Sequence, residues 1–353
     1  MSTDVKKLDP VKLSTYLESH IPGFKGPITA EKFSGGQSNP TFLIHATSGD
    51  YVLRRQPPGQ LLKGAHAVDR EFRAMNALRQ TPVPVPLAYH LCTDPEIIGS
   101  MFYVMSYVRG RIFWDPSLPE LTVTQRTAYY DELIRVMAAL HSVNIEAVGL
   151  ATFGRPTQYF ERQVSLWSTQ YRASETDQLD AMEALISWLP AHTPADDGQI
   201  SLVHGDFRFD NFIFHATEPR VLAVLDWELS TLGHPLADLA YFCMCLRLPS
   251  TLHFFGLHGK DRQELGVPTE EAIVARYCAL RGLDQIPHWT FYLAFSFFRL
   301  AAILQGVKKR AIGGNASSDK AIQIGQMTGT LAQLALDLIR EPAASTAPTP
   351  LKG

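Results

Sequence analysis

Leu202-Val203-His204-Gly205-Asp206-Phe207-Arg208-Phe209-Asp210-Asn211-Phe212-Ile213-Phe214 is the stretch on which the fold turns. Apolar runs at 202–205 and 212–214 read as short strands, and the polar loop between them holds Asp206 and Asn211 five residues apart. Downstream, Val221-Leu222-Ala223-Val224-Leu225 reads as a strand that can pair with 212–214 as a hairpin, and it ends on Asp226. Asp206, Asn211 and Asp226 can therefore converge at one site. Singly, each would serve as a turn or hairpin-end residue, as Asp and Asn often do. Spacing and flanking strands together favour a shared site.

Working outward toward the N-terminus, residues 28–33, 41–46 and 51–54 are short β-type runs around the Gly-rich turn Gly35-Gly36-Gln37-Ser38-Asn39-Pro40. Pro57-Pro58-Gly59 ends the third run, and 65–78 then carries Val68, Phe72, Met75 and Leu78 at helical spacing. Val83-Pro84-Val85-Pro86 is an extended connector into another strand at 101–108. After Gly110 the period turns helical, with Leu133, Val136, Met137 and Leu140 on one face of a helix ending near His141, and beyond Asp238 helices dominate. These patterns predict an α+β chain with a small antiparallel-sheet N-terminal lobe, residues 1–106, containing one helix. A larger, mostly helical C-terminal lobe spans 107–341, and an Ala-, Pro-, Ser- and Thr-rich tail, 342–353, is expected to be loose.

One carboxylate to orient a hydroxyl and take its proton, with two oxygen ligands for Mg2+, is what phosphoryl transfer requires. The Asp206 to Asn211 spacing equals that between Asp and Asn in the H-R-D-x-x-x-x-N loop of protein kinases. With His204-Gly205-Asp206, Asn211 and Asp226-Trp227 in place, the chain resembles the aminoglycoside phosphotransferase and choline kinase superfamily, a protein-kinase-like two-lobed fold. The resemblance covers about residues 28–310. It implies Asp206 as catalytic base, Asn211 and Asp226 as magnesium ligands, and Arg208 as a contact to the transferring phosphate. It also implies that Asp238 braces the loop, while His204 and Gly205 shape it.

The same resemblance sets the nucleotide half. Backbone amides of Gly35, Gly36, Ser38 and Asn39 would cover the phosphates of ATP. Strand alternation places Val52 and Arg54 on one face, so Val52 would pack on adenine and Arg54 would meet the α- and β-phosphates. Glu71, seventeen residues after Arg54, is its expected partner, with Arg70 and Arg73 solvated. Met105 and Tyr107 lie in the expected hinge, whose backbone would bind the adenine edge. Arginine in place of the usual lysine is a departure: it keeps the charge but changes reach and geometry.

The chain has 353 residues, 46% hydrophobic and 19% charged, and a formal net charge of −3. That is ordinary globular composition, and the near-balanced charge calls for neither nucleic acid nor membrane as partner. Cys92, Cys243, Cys245 and Cys278 form no metal-type spacing and sit in apolar stretches, which suits a cytoplasmic protein. Residues 1–20 lack the pattern of a signal peptide, and the apolar stretch 289–307 reads as a buried amphipathic helix. A monomer or homodimer is expected.

The acceptor is a small hydroxylated molecule. From residue 240 on there are twelve Lys/Arg against eight Asp/Glu, an unfavourable balance for a polycationic antibiotic. Arg299, Lys308, Lys309 and Arg310 would suit an anionic acceptor such as a CoA thioester, or simply a helix C-terminus. Phe33-Ser34-Gly35-Gly36-Gln37-Ser38-Asn39-Pro40-Thr41-Phe42, the run 52–59 and the run 298–307 are similar to the kinase-like domain associated with acyl-CoA dehydrogenases. This implies a hydroxyacyl-CoA as acceptor. The alternatives are an aminoglycoside-type antibiotic kinase and a non-catalytic nucleotide-binding regulator.

Overall fold

Asp9-Pro10 starts the first element: the Asp9 side chain accepts hydrogen bonds from the amides of Val11 and Lys12 at 3.0 and 3.1 Å, and proline occupies the first helical turn. The resulting helix α1, Pro10–His20, was not expected. It buries Leu13 and Leu17 against Phe42, Ile44, Leu53, Phe102 and Val104 of a sheet. The sheet's strands are β1 (Ile28–Lys32), β2 (Thr41–Ala46), β3 (Gly49–Arg55), β4 (Ala88–Cys92) and β5 (Phe102–Ser106), with helix α2 (Val68–Leu78) between β3 and β4. All neighbours are antiparallel, in the order β1-β2-β3-β5-β4. The expected single helix beside the sheet is thus corrected to two, because the sheet has two apolar faces and α1 covers one of them.

The structure, a computed structural model, describes residues 8–33, 39–57, 67–251, 255–313 and 321–340. The expectations on Gly35, Gly36, Ser38 and the tail 342–353 lie outside the described residues.

Helix α3, Val123–His141, follows the sheet, with the Gln125 side chain accepting from the Thr122 amide at 3.0 Å at its start. Then come α4 (Tyr159–Ser174), α5 (Asp180–His192), β6 (Ser201–Val203), β7 (Phe212–Phe214), β8 (Val221–Val224) and β9 (Thr231–Gly233). Single 3-10 turns at Phe209–Asn211 and Trp227–Leu229 punctuate this region. The hairpin expected between 212–214 and 221–225 forms as β7 with β8, pairing Phe212 with Val224. Strand β6 pairs with β9. Helices α6 (Leu236–Arg247), α7 (Arg262–Leu265), α8 (Glu270–Arg281), α9 (Trp289–Ile312) and α10 (Ala321–Arg340) complete the chain.

Two compact units emerge. The first joins residues 1–156 and 199–285, so the border expected near residue 106 falls inside it. The second, residues 157–198 and 286–353, contains α4, α5, α9 and α10. Helix α9 is long and apolar enough to cross a bilayer, but most of its apolar surface is buried, with α10, α4 and α5 packed on it. At its C-terminal end Lys308 pairs with Asp177 in the connection between α4 and α5, and Lys309 donates to the Ala173 carbonyl in the last turn of α4. Arg299 lies over the Trp167 ring at 5.7 Å.

Candidate active site

The site is built in the first unit around the loop that follows β6. The Asp238 carboxylate, fully buried on α6, accepts from the amides of His204 at 2.6 Å and Gly205 at 2.8 Å, and meets Nε2 of His141 at 3.2 Å. Burial opposes its charge, but the His141 hydrogen bond and the nearby amide hold the carboxyl below the usual range. Gly205 has φ +84°, and a Cβ there would meet the Leu229 carbonyl oxygen at 2.7 Å, so only glycine fits the bend. His204 Nε2 bonds the Leu225 carbonyl at 2.7 Å. His204, Gly205 and Asp238 thus shape the loop, as the sequence suggested.

Asp206 is held next. Asn211 Nδ2 donates to the Asp206 carbonyl at 2.8 Å and to its Oδ2 at 3.0 Å. This commits the Asn211 amide nitrogen and leaves its oxygen as the atom suited to a hard cation. Burial would raise the Asp206 pKa, but Arg208, a Tyr241 hydrogen bond, His204 and Asn211 pull it below the ordinary value. The carboxylate is therefore ionised at neutral pH, the form a proton acceptor needs. Arg208 stands between two acids, with Nε 3.4 Å from Asp206 Oδ2 and Nη2 2.9 Å from Asp210 Oδ2.

The Leu225 amide donates to the Asn211 carbonyl at 2.8 Å, which ties the end of the hairpin to the loop immediately before Asp226. Asp226 itself adopts φ +63°, an unusual conformation for a non-glycine residue. Its Oδ1 lies 2.6 Å from Arg54 Nη2, while Arg54 Nε is 3.2 Å from Glu71 Oε2 and Nη2 is 3.6 Å from Glu228 Oε2. One guanidinium faces three carboxylates. Burial works against the Arg54 charge, yet Glu71, Tyr103, Asp226 and Glu228 raise its pKa. Glu71, almost wholly buried, is pushed up to about 7 by that burial, against the pull of Arg54.

Excess negative charge and oxygen-only donors are the features that suit Mg2+. Asn211 and Asp226 are the residues that would hold it, neutralising charge on bound phosphates. Among the described residues no group of three His, Cys, Asp or Glu side chains is arranged to hold a metal ion. Mg2+ bound to nucleotide needs no such cage, since phosphate oxygens and water supply most of its shell.

One residue escaped the sequence reading, and a second enters by its side chain instead of its backbone. Glu228 reaches the cluster because the 3-10 turn at Trp227–Leu229 follows Asp226 directly. Its signal was the acidic pair in Asp226-Trp227-Glu228. Asn39 was expected to act through its backbone, but its buried side chain donates to Glu71 Oε1 at 2.9 Å and to Glu228 Oε2 at 3.4 Å. The expectation of solvation holds for Arg73, which is exposed, and is corrected for Arg70, which is part-buried. Arg70 donates to the Phe153 carbonyl at 2.7 Å and lies over its ring, and Arg73 donates to Thr152 Oγ1 at 2.8 Å. A guanidinium presents several donors, and the 149–153 turn offers carbonyls within their reach.

Val52 and Met105 are cross-strand partners on β3 and β5, and Arg54 pairs with Tyr103. The expected adenine contacts are thus side by side. Tyr107 lies just past β5, with Arg109 5.7 Å over its ring.

Comparison with known proteins bears on the family and the fold. Residues 29–272 match the APH model, described as the phosphotransferase enzyme family. Acyl-CoA dehydrogenase family member 10 of Mus musculus is 49% identical over 327 residues, covering 91% of this chain and 30% of its own length. Acyl-CoA dehydrogenase family member 11 of Homo sapiens is 41% identical, covering 97% of this chain and 44% of its length. The chain therefore spans less than half the length of these relatives. A crystal structure from Ralstonia eutropha, named for the aminoglycoside phosphotransferases, superposes with TM-score 0.86 at 46% identity, covering 94% of this chain and 98% of that one. A more distant neighbour, aminoglycoside phosphotransferase APH(4)-Ia in complex with ADP and hygromycin B, shares the fold at TM-score 0.61 and 14% identity, covering 94% and 100%. With the family model matching well over half its length, the chain belongs to the phosphotransferase enzyme family.

Proposed function

We propose that the chain is an ATP- and Mg2+-dependent small-molecule kinase that phosphorylates a hydroxyl of an acyl-CoA thioester. The observation that carries the reading is the linkage of Asp206, Asn211 and Asp226 in one hydrogen-bonded loop and hairpin end, with Asp226 meeting the Arg54–Glu71 pair. Asp206 aligns the acceptor hydroxyl. Its oxygen forms the new bond to the γ-phosphorus, the bond from that phosphorus to the bridging oxygen breaks, ADP leaves with the electron pair, and the proton passes to Asp206. Arg208 steadies charge on the transferring group, and Arg54 holds the α- and β-phosphates once nucleotide competes with Asp226 for it. Positioning and electrostatics supply most of the rate in such a loose transition state.

The acceptor class is supported by the names of longer relatives, which are acyl-CoA dehydrogenase family members. An ADP-release screen over hydroxyacyl-CoA thioesters and aminoglycosides, with Asp206→Asn as blank, tests it. Consumption only with the thioesters is expected, and consumption only with aminoglycosides would overturn the acceptor assignment. The Arg54–Asp226 contact favours one second reading, a nucleotide-binding regulator closed on itself. Mg-ATP binding without consumption on any acceptor would support that regulator.

A further inference from the structure

Beside the catalytic loop lies a recess of roughly 340 Å3. Phe242 and Leu246 of α6 form one wall, and Trp114 and Phe255 flank them. The first two are buried, whereas Trp114 is 60% and Phe255 47% exposed. Concave sites lined by apolar and aromatic side chains, with a few polar groups at one end, are the usual form of a small-molecule site. Here the polar groups are Arg208 and Asp210.

Their arrangement limits the occupant. Asp210 is the one acidic residue lining the recess among the described residues, and its Oδ2 is already paired with Arg208 Nη2 at 2.9 Å. Among the described lining residues there is no second carboxylate to hold a polycation. Arg208 also reaches Asp206 Oδ2 at 3.4 Å, so the apolar walls begin one side chain away from the carboxylate that would receive the acceptor hydroxyl. Helix α6 does two jobs: Asp238 braces the catalytic loop from its first turn, and Phe242 and Leu246 face the recess one and two turns later.

We propose that this recess takes the aliphatic chain of the acceptor, so that chain length selects the substrate while Asp206 acts on its hydroxyl. The inference rests on the phosphotransferase reading above and adds the residues that set acceptor specificity. A chain lying between Phe242, Leu246, Trp114 and Phe255 gains affinity with each methylene removed from water, until the walls are covered.

The test is kcat/KM for ADP release over a homologous series of straight-chain hydroxyacyl-CoA thioesters, using the full chain. The value is expected to rise by about fourfold per methylene and then level off. Leu246→Trp, which fills the recess, is expected to abolish the rise. Because Leu246 is buried, Trp114→Ala at the exposed rim is the second variant, expected to flatten the rise several-fold at the longest chains. Values independent of chain length, or a rise unchanged in both variants, would overturn the assignment. If no thioester is turned over, the thioester-kinase reading falls, and dissociation constants of the same series for Asp206→Asn decide the recess alone. Affinity that grows with chain length and loses that growth in Asp206→Asn/Leu246→Trp upholds it; length-independent or absent binding overturns it.

Discussion

The loop around Asp206 and the cluster around Arg54 are both polar and largely buried, but they are assembled in opposite ways. The loop draws on His204, Gly205, Asp206, Arg208, Asp210, Asn211 and Asp238 plus His141, and its three acids are matched by amides or a cation. The Arg54 cluster gathers Asn39, Arg54, Glu71, Asp226 and Glu228 from four separate segments, and its acids outnumber its cation. Charge in the first is largely settled within the protein: Asp206 and Asp238 titrate below their usual range, and Asp210, raised by burial, is paired with Arg208. In the second it is not, and burial leaves Glu71 pushed up to about 7. A site satisfied by its own residues can hold geometry, while one with charge to spare is ready for an outside cation.

The strongest way to break this contrast is Asp206→Asn, which keeps the shape of the loop and removes the proposed proton acceptor. Turnover should fall by at least about a hundredfold with Mg-ATP affinity unchanged, read by ADP release and calorimetric titration. Next in size is Asp238→Ala. It strips the His204 and Gly205 amides of their acceptor in a fully buried place, at a cost of about 3 kcal/mol, visible as a lowered denaturant midpoint with unchanged slope. Arg54→Lys probes the other region. It keeps the charge but loses the fork that spans Glu71 and Asp226, and a loss of about 1 kcal/mol would weaken Mg-ATP roughly fivefold in a binding titration.

The smallest effect separates the two regions by pH. His141 is buried between Asp238 and Tyr277, and burial lowers its pKa. The unfolded chain therefore takes up this proton first, so the stability that neutral His141 contributes is present above about 6.5 and is lost as pH falls further. Glu71 has the opposite sign: its raised pKa means the folded state binds the proton first, so its contribution declines as pH rises from the ordinary carboxylate range through about 7. Melting temperature followed against pH should lose its acid-side slope in His141→Gln and its neutral-side slope in Glu71→Gln. Unchanged curves would mean that neither group is coupled to folding as its burial implies.

The two regions were also unequally legible in the sequence. The link between Asp206 and Asn211 and the hairpin leading to Asp226 were readable because a fixed spacing sits between apolar runs, and a loop of that length leaves little conformational choice. Asp238 followed from the family pattern. Glu228 and the side chain of Asn39 were missed because they reach the Arg54 cluster through a 3-10 turn and a bend before β2, which carry no periodicity. Helix α1 was missed although Asp9-Pro10 is a sound start signal, since its buried stripe reduces to Leu13, Ser14 and Leu17. Strand β4, Ala-Tyr-His-Leu-Cys, lacks a clean alternation and is defined by pairing with β5. Strand β9 is three residues long and acquires its role only from pairing with β6.

The most direct test of the account is transfer of γ-labelled phosphate from ATP, with Mg2+, to a hydroxyacyl-CoA thioester. The account predicts label on the acceptor hydroxyl with wild-type protein and none with Asp206→Asn at equal nucleotide occupancy. Equal labelling by Asp206→Asn, or label appearing only as inorganic phosphate with every acceptor, would contradict it.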